Sequence, residues 1–462
     1  MEIIPAQHFG ARDEQGLAAF LAHCRDQART DGQPRLASIS LRVPDLDPLA
    51  VLRSIREPDE PHLYLERGDR AVSGAEAIAG TTASGPDRFA RIRQFREEWT
   101  ARTIATGDLD GWLTGPLFFL AFAFADEEEP AARVFLPKWQ VGRSAEECIA
   151  VANLRVEPDT DLAAEGARIW RAHQTFSQRA FPVREGAGPA GEVTAHPEPP
   201  ELFRARVRQA LAALADSPLD KIVVARWMDL QAEHDFAPLE TLRTLREAYP
   251  GCFAFSYAPG DGSSWIGASP ERLVRVEDGR LETEALAGSA PRGDDLASDD
   301  AHGRALLESD KDLREHAWVV RAIERRLRAR GIEPEIPAHP GLLRLSNVQH
   351  LRTPIRAARP PGCGLSELAA ILHPTPAVGG SPREIALPLL AEFEPFPRGL
   401  YAGFLGWEKP GGEGELVVAL RTAHLLRNHA RLYAGAGIVE GSQPDAELRE
   451  TELKLAALAQ NL

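Results

Sequence analysis

The segment most informative about fold class is SWIGASPERLVRVEDGRLETEAL, residues 264–286. It is typical of hairpin strands, because Glu277-Asp278-Gly279 in its middle is turn chemistry. The segment before it, CFAFSYAP at residues 252–259, predicts another strand. Along the chain, strands group with strands and helices with helices. This pattern predicts an α+β fold with a largely antiparallel sheet, rather than a doubly wound parallel one.

The neighbouring segments complete the predicted order of elements. Residues 201–231 predict an amphipathic helix, a turn at DSPLD and a strand that opens at Lys221. The Gly-, Pro- and Ala-rich residues 183–200 predict a connector between two regions of the chain. Before that connector, the patterns predict strands at 112–125 and 132–141 and helices near 15–30 and 161–180.

Composition and charge narrow the class of protein. The 462 residues include 44% hydrophobic and 26% charged residues, as in ordinary folded proteins. A formal net charge of −15 argues against a nucleic-acid partner, which needs a basic surface. The first residues lack a signal-peptide pattern, and no run of about 18 apolar residues occurs. We therefore expect a cytoplasmic protein with no membrane partner.

Cysteine and histidine spacing gives no sign of a transition-metal site. Cys24, Cys148, Cys252 and Cys363 are far apart and form no CxxC pair, so neither a disulfide framework nor a zinc site is predicted. The thirteen histidines include no HExxH motif.

Two helical segments carry acids in the same arrangement. In a helix predicted at 307–330, Asp312 lies about 20° and Glu315 about 80° from the apolar direction of Ile323, at about 100° per residue. In the C-terminal helix DAELRETELKLAALAQNL, Glu447 and Glu450 stand at the same angles from Leu458, with Lys454 between the two acids.

Acids beside an apolar stripe need cations, because a buried unpaired carboxylate costs several kcal/mol. Ligands that are all carboxylate oxygens suit Mg²⁺. The alternative is that these acids are solvated groups on the helix flanks, stabilised by pairs four residues apart. The spacing alone does not show that the two helices meet.

Several segments in order resemble the chorismate-utilising enzymes, and most of all the isochorismate synthases. They cover roughly residues 201–462, whereas residues 1–200 match only loosely. The segments are DKIVVAR (220–226), IGASPERLVRV (266–276), TEALAGSAPRG (283–293), SDKDLREH (309–316), LSNVQHL (345–351), LHPTPAVGGSP (372–382), FPRGLYAGFLGW (396–407), VALRTA (418–423) and YAGAGIVEGSQPDAELRETELK (433–454).

The resemblance implies a fold of two stacked, mainly antiparallel sheets flanked by helices, with the active site in the cleft between them. Residues 1–200 would be a variable part of this fold and residues 201–462 the catalytic region, in one integrated unit. The resemblance also makes Glu315 and Glu450 the Mg²⁺ ligands, with Asp312 and Glu447 as supporting acids. The ion would hold the ring carboxylate of chorismate.

The remaining site residues follow from the same resemblance. Lys221 aligns with the lysine that activates water for addition at ring carbon 2, and Glu271 with the general acid that protonates the hydroxyl leaving carbon 4. Arg421 and Tyr401 match the residues that hold the enolpyruvyl carboxylate, and His350 matches a histidine near the ring, although a core histidine fits equally well. The other predicted substrate contacts are Gly435, Lys454, Ala287, Gly288 and Thr375.

Two residues separate the activities within the family. Anthranilate synthases generally carry glutamine where this chain has Lys221 and depend on an amidotransferase partner, so no such partner is expected here. Aminodeoxychorismate synthases place a covalent lysine where this chain has Ala287. The resemblance therefore implies isochorismate synthase activity, feeding menaquinone or siderophore biosynthesis. Salicylate synthase, which goes on to eliminate pyruvate, and a non-catalytic binder of a chorismate-like ligand remain alternatives. A monomer or weak homodimer is expected.

Overall fold

The computed structural model describes residues 1–3, 13–178, 190–346 and 348–462. The helices of this part of the chain are α1 (Glu14–Asp31), α2 (Pro48–Ile55), α3 (Arg88–Ala101), α4 (Leu162–Gln178), α5 (Pro200–Asp216), α6 (Pro238–Ala248), α7 (Leu296–Glu308), α8 (Asp310–Arg328), α9 (Leu365–Leu372), α10 (Arg383–Phe393) and α11 (Pro444–Ala459).

The strands of the described residues are β1 (Glu2–Ile3), β2 (Arg35–Val43), β3 (His62–Arg67), β4 (Arg70–Ala83), β5 (Thr103–Gly107), β6 (Phe118–Phe122), β7 (Ala132–Arg143), β8 (Cys148–Val156), β9 (Val193–Pro197), β10 (Lys221–Ala232), β11 (Phe253–Ala258), β12 (Ser263–Ser269), β13 (Arg272–Glu277), β14 (Arg280–Pro291), β15 (Gly341–Arg344), β16 (Val348–Ala358), β17 (Gly380–Ser381), β18 (Phe404–Glu408), β19 (Gly414–Val418), β20 (Thr422–Leu426) and β21 (His429–Ile438).

These strands form one hydrogen-bonded network with two arms that meet at β7. The first arm runs through β4, β3, β11, β12, β20, β21 and β10. The second arm runs through β6, β18, β19, β13, β14, β16 and β15. All of these pairs are antiparallel. Among the described strands, the parallel pairs are those that β5 makes with β1 and β2.

The two arms are stacked, because apolar side chains from both enter the same hydrophobic cluster. Leu63 and Phe255 of the first arm pack there with Leu405 and Val417 of the second arm, all nearly inaccessible to solvent. This arrangement confirms the predicted α+β fold with mainly antiparallel sheets. The division of the chain at residue 200 stays a prediction.

The helices α8 and α11 flank the two arms. Val319, Ile323 and Leu327 form the apolar stripe of α8 and pack in the cluster that contains Leu281 and Ala285 of β14. On α11, Leu455 and Leu458 pack with residues of β21 in a second cluster. The predicted apolar faces of both helices are therefore correct.

The predicted hairpin is confirmed at its turn. Asp278 and Gly279 have φ angles of 51° and 71°, and β13 and β14 pair with Glu277 opposite Arg280. Positive φ at both central residues is what a two-residue hairpin loop of the I′ type requires, and glycine adopts it without strain.

Three predicted boundaries are wrong. The strand predicted at 112–125 is limited to β6, because residues 111–116 form turns. The helix predicted at 307–330 is two helices that break at Ser309, whose side chain caps α8 by accepting the Asp312 N–H. Residues 193–197 of the predicted connector form β9, which pairs with β10; residues 183–189 of that prediction lie outside the described residues.

The structure also describes the four cysteines and the features that a membrane-spanning helix would need. Cys24, Cys148, Cys252 and Cys363 are all free thiols. Among the described residues, no helix combines the length and the apolar character needed to cross a membrane.

The hairpin turn gives a stability test. Gly279→Ala should lower the free energy of unfolding by about 1 kcal/mol, because an alanine at this φ is strained. An added Cβ would meet no atom within 4 Å at Gly279 or at Gly411, and only Gly279 has a positive φ. Gly411→Ala is therefore the matched control in urea unfolding. Equal effects of the two substitutions would contradict this account of the turn.

Candidate active site

A cavity lies between the two arms, close to α8 and α11. Its polar lining residues come from both arms and both helices: Lys221, Glu271, Ser289, Glu315, His350, Tyr401, Arg421, Tyr433, Glu450 and Lys454. The cavity is therefore built from segments that are distant in sequence.

Lys221 enters the cavity as the first residue of β10. The next residue, Ile222, points the other way into the hydrophobic core, as alternation along a strand requires. Lys221 is only 2% exposed, and its amine donates a hydrogen bond to Glu315 Oε1 at 2.8 Å. A Cβ at Gly437 would lie 2.7 Å from Lys221 Cε, so the glycine makes room for the lysine. Lys221 is not a surface lysine at a strand edge.

Glu271 lies between β12 and β13 and is 3% exposed. Its backbone N–H donates to Ser269 Oγ, and Thr375 Oγ1 donates to Glu271 Oε1 at 3.3 Å. Burial, and next the charge of Glu284, raise the pKa of Glu271 to about 8, although Thr375 and Lys221 act to lower it. The carboxyl group therefore keeps its proton at neutral pH, the upward shift that a general acid needs.

The predicted metal ligands reach the cavity from opposite helices. Glu315 is on α8, with its side chain 16% exposed, and Glu450 is on α11, with its side chain 46% exposed. Lys454 donates hydrogen bonds to Glu450 Oε1 at 2.7 Å and to the Gly435 carbonyl at 2.9 Å. The Lys454 ammonium lowers the pKa of Glu450. Each of the two carboxylates is thus paired with a lysine.

The two supporting acids lie outside the cavity lining. Asp312 accepts a hydrogen bond from the Ser309 hydroxyl at the start of α8. Glu447 is nearly buried, and burial, followed by the charge of Glu450, raises its pKa. No group of three His, Cys, Asp or Glu side chains in the described residues stands ready to hold a metal.

Arg421 and Tyr401 line the cavity on the side of the first arm. Arg421 has a left-handed backbone, with φ at 47°, and its Nη1 is buried without a hydrogen-bond partner among the described residues. A buried guanidinium nitrogen without a partner is a donor available to an anionic ligand. A Cβ at Gly435 would lie 2.8 Å from the Tyr401 hydroxyl, so only glycine fits beside it.

His350 lines the cavity from β16. Its Nδ1 lies 2.8 Å from Ser289 Oγ, and its Nε2 is buried without a partner among the described residues. Burial, and next the charges of Arg421 and Lys454, lower the pKa of His350 to about 3. A neutral imidazole can hydrogen-bond to a ligand but carries no proton to give at neutral pH.

The structure brings most of the predicted site residues together. Ala287 and Gly288 line the cavity, whereas Thr375 reaches it only through its hydrogen bond to Glu271. Ser289, Tyr433 and Gly437 also line the cavity, although none of them was predicted. Alternation along β21 could have found the last two, because residues 433, 435 and 437 share one face of a strand. Nothing in the local sequence marked Ser289.

A cavity between two stacked sheets that is lined by a buried amine, a protonated carboxyl group and an arginine with a nitrogen unpaired among the described residues suits an enzyme that acts on a small anionic molecule. The model of the family described as chorismate binding enzyme matches residues 20–462. The protein belongs to this family.

Individual relatives are similar over nearly the whole chain. The salicylate biosynthesis isochorismate synthase of Pseudomonas aeruginosa is 35% identical over 441 residues, 94% of this chain and 92% of the relative. Isochorismate synthase MenF of Bacillus subtilis is 30% identical over 454 residues, 94% of each chain. The solved structure of MenF, the menaquinone-specific isochorismate synthase from Escherichia coli, is 28% identical with a TM-score of 0.78, covering 96% of this chain and 99% of that one.

The unpaired nitrogen of Arg421 leads to a binding test. In a Glu271→Gln background, which blocks turnover, Arg421→Met should weaken chorismate binding by about 10- to 100-fold, because a hydrogen bond to a charged group contributes about 1.5–3 kcal/mol. Isothermal calorimetry measures the affinity. Arg427→Met is the matched control, since Arg427 also has a left-handed backbone, at 53°, but is exposed in a turn. Equal affinities in the two variants would remove Arg421 from the binding site.

Proposed function

We propose that this protein is an isochorismate synthase. It converts chorismate to isochorismate by adding water at ring carbon 2 and expelling the hydroxyl at carbon 4. The observation that carries this proposal is that Lys221 and Glu271 are both buried and line one cavity, with Glu271 protonated at neutral pH. A reaction that adds water at one carbon and loses hydroxide at another needs a base and an acid on the same substrate.

Lys221 is the group we assign to water. The free amine takes a proton from the water molecule as its oxygen bonds to carbon 2. To accept this proton, Lys221 must first release a proton to solvent and give up its hydrogen bond to Glu315. Glu315 lies on α8 and accepts the hydrogen bond from Lys221, which supports this coupling of base and carboxylate.

Glu271 is the group we assign to the leaving hydroxyl. Its proton goes to the oxygen that leaves carbon 4, so the group departs as water. The ring electrons shift toward carbon 4 as the new bond forms at carbon 2. The burial of Glu271 supports this role, because burial disfavours the ionised form and keeps the proton on the acid until the substrate is bound.

The substrate carries two carboxylates, and two parts of the cavity suit them. Arg421 and Tyr401 form a clamp for the enolpyruvyl carboxylate, supported by the unpaired Arg421 nitrogen. The ring carboxylate would then lie in the part of the cavity near Glu315, Glu450 and Lys454. Lys454 is already paired with Glu450, so a further cation is needed to hold a substrate carboxylate beside these acids.

The donor set at that end suits Mg²⁺. Mg²⁺ is commonly bound by one or two carboxylates together with water and substrate oxygens, which fits the two cavity-lining carboxylates. We propose that Glu315 and Glu450 hold the ion, with Asp312 and Glu447 as supporting acids. When bound, it would neutralise the carboxylates and anchor the ring carboxylate of chorismate.

The proposal includes finer expectations. Lysine at position 221 favours water over ammonia, so no amidotransferase subunit is expected. Ala287 provides no covalent nucleophile. The product would feed menaquinone or siderophore biosynthesis. A cytoplasmic location and a monomer or weak homodimer remain part of the proposal.

Product analysis tests the proposed activity. The purified protein, incubated with chorismate and Mg²⁺ and analysed by liquid chromatography, should form isochorismate without pyruvate. Salicylate together with pyruvate would instead make the protein a salicylate synthase. Binding without conversion would make it a non-catalytic binder.

The role of Lys221 has its own test. Lys221→Ala should abolish isochorismate formation, because it removes the amine that pairs with Glu315 in the cavity, while chorismate binding measured by calorimetry persists. Lys138→Ala is the control, since Lys138 is a half-buried strand lysine that is likewise paired with a glutamate, Glu76, at 2.6 Å. Hydration that survives in Lys221→Ala would exclude this lysine from the reaction.

The metal site is tested on both helices. Glu315→Gln and Glu450→Gln should each raise the Mg²⁺ concentration needed for half-maximal activity at least tenfold, with little change in melting temperature. Asp445→Asn on α11 is the control, because its ion pair with Arg204 is at the surface, where such pairs contribute little. If the variants melt earlier but respond to Mg²⁺ as before, the acids are structural.

A further inference from the structure

Glu284 is a buried acid that the proposed reaction does not use. It lies on β14 and is 2% exposed, two residues before Leu286 in the cavity wall. Both of its oxygens have donors: the backbone N–H of Arg272 lies 3.1 Å from Oε1, and Arg352 Nε lies 2.5 Å from Oε2. A buried carboxylate with a hydrogen-bond donor at each oxygen is held in one position, here beside the cavity wall.

The first of these donors ties Glu284 to the general acid. The Arg272 N–H belongs to the peptide that follows Glu271 directly, so the Glu284 carboxylate is fastened beside the backbone of Glu271. The second donor, Arg352, approaches Glu284 from the solvent side, because its side chain is 32% exposed. Glu284 thus stands between Glu271 and a surface cation.

We propose that Glu284 is a positioning residue for the reaction, whose fixed negative charge keeps the proton on Glu271 until the leaving hydroxyl takes it. This inference rests on the proposed function and adds a residue that the reaction requires but that does not touch the substrate. In a buried environment, charges interact more strongly than in water, so one fixed carboxylate is sufficient to oppose ionisation of another.

Other charged and polar groups also act on Glu271. The charge of Glu284 is the largest influence after burial in raising its pKa, whereas Thr375 and Lys221 lower it. The guanidinium of Arg272 is directed to Glu415 at 2.8 Å. The remaining titratable groups on the cavity wall are Glu315, His350, Tyr401, Arg421, Tyr433, Glu450 and Lys454. Glu284 is therefore the charged side chain that most favours the protonated form of Glu271.

A purely structural role for Glu284 would give a different result. If the carboxylate only fastened β13 to β14, its loss would lower stability and activity at every pH alike. A role in holding the Glu271 proton instead moves the pH at which activity is lost. The alkaline limb of the kcat/KM profile reports the general acid in the free enzyme, because activity is lost as that acid ionises.

The test compares Glu284→Gln with Glu282→Gln. A glutamine at 284 keeps the shape and can still accept the Arg272 N–H, but it carries no charge. Glu282 lies two residues earlier on the same face of β14, is bonded to Arg275 at 2.7 Å, and is farther from the cavity. The wild type and Glu282→Gln should lose kcat/KM for chorismate with an apparent pKa near 8. In Glu284→Gln this limb should move about one pH unit lower.

An alkaline limb that stays near its wild-type position in Glu284→Gln, or that moves to higher pH, overturns the inference. Arg352→Gln gives a second variant that leaves Glu284 in place. It removes the positive charge that faces Glu284, so the limb should move to higher pH, and an unmoved limb counts against the inference. If the wild type itself forms no isochorismate, the proposed function fails. If it does and only the shift is missing, the role of Glu284 fails alone.

Discussion

Burying an amine and a carboxyl group costs free energy unless each group has partners. The cavity depends on how the two groups obtain those partners. Lys221 and Glu271 are each about 97–98% buried, yet their partners differ in kind. Lys221 is paired with a carboxylate, Glu315. Glu271 has a second acid nearby, Glu284; burial and that charge raise the pKa of Glu271 to about 8, while the hydroxyl of Thr375 donates to it and acts to lower the pKa. The lysine thus has an ion-pair partner, whereas the acid is kept neutral.

The fold supplies these surroundings by stacking two arms of one network. Lys221, Tyr433, Gly435 and Gly437 come from the first arm, while Ala287, Gly288 and His350 come from the second. Small residues keep the space open, since a Cβ at Gly435 or Gly437 would contact Tyr401 or Lys221. The helices α8 and α11 then bring acids to the mouth, because their apolar faces are buried against β14 and β21.

Periodicity and turn chemistry were enough to predict the α+β class, the hairpin at Glu277-Asp278-Gly279 and the buried faces of α8 and α11, since these depend on local patterns. The break at Ser309 was missed because a helix cap depends on one side chain rather than on periodicity. Local sequence patterns also did not predict that Lys221 and Glu271 lie in one cavity. Their proximity depends on strand pairing between distant parts of the chain, and only the resemblance to a family predicted it. Glu284 was missed for a related reason, because its significance depends on contacts with Arg272 and Arg352.

In the proposed reaction, a buried base and a buried acid exchange a solvent water at carbon 2 for the hydroxyl at carbon 4. The most direct measurement is the reaction of chorismate and Mg²⁺ with the protein in ¹⁸O-labelled water, followed by mass spectrometry and ¹³C NMR of the product. The product should be isochorismate that carries one ¹⁸O atom, located on the carbon-2 hydroxyl. Isochorismate without the label would mean that the hydroxyl migrates within the substrate, and it would contradict the account.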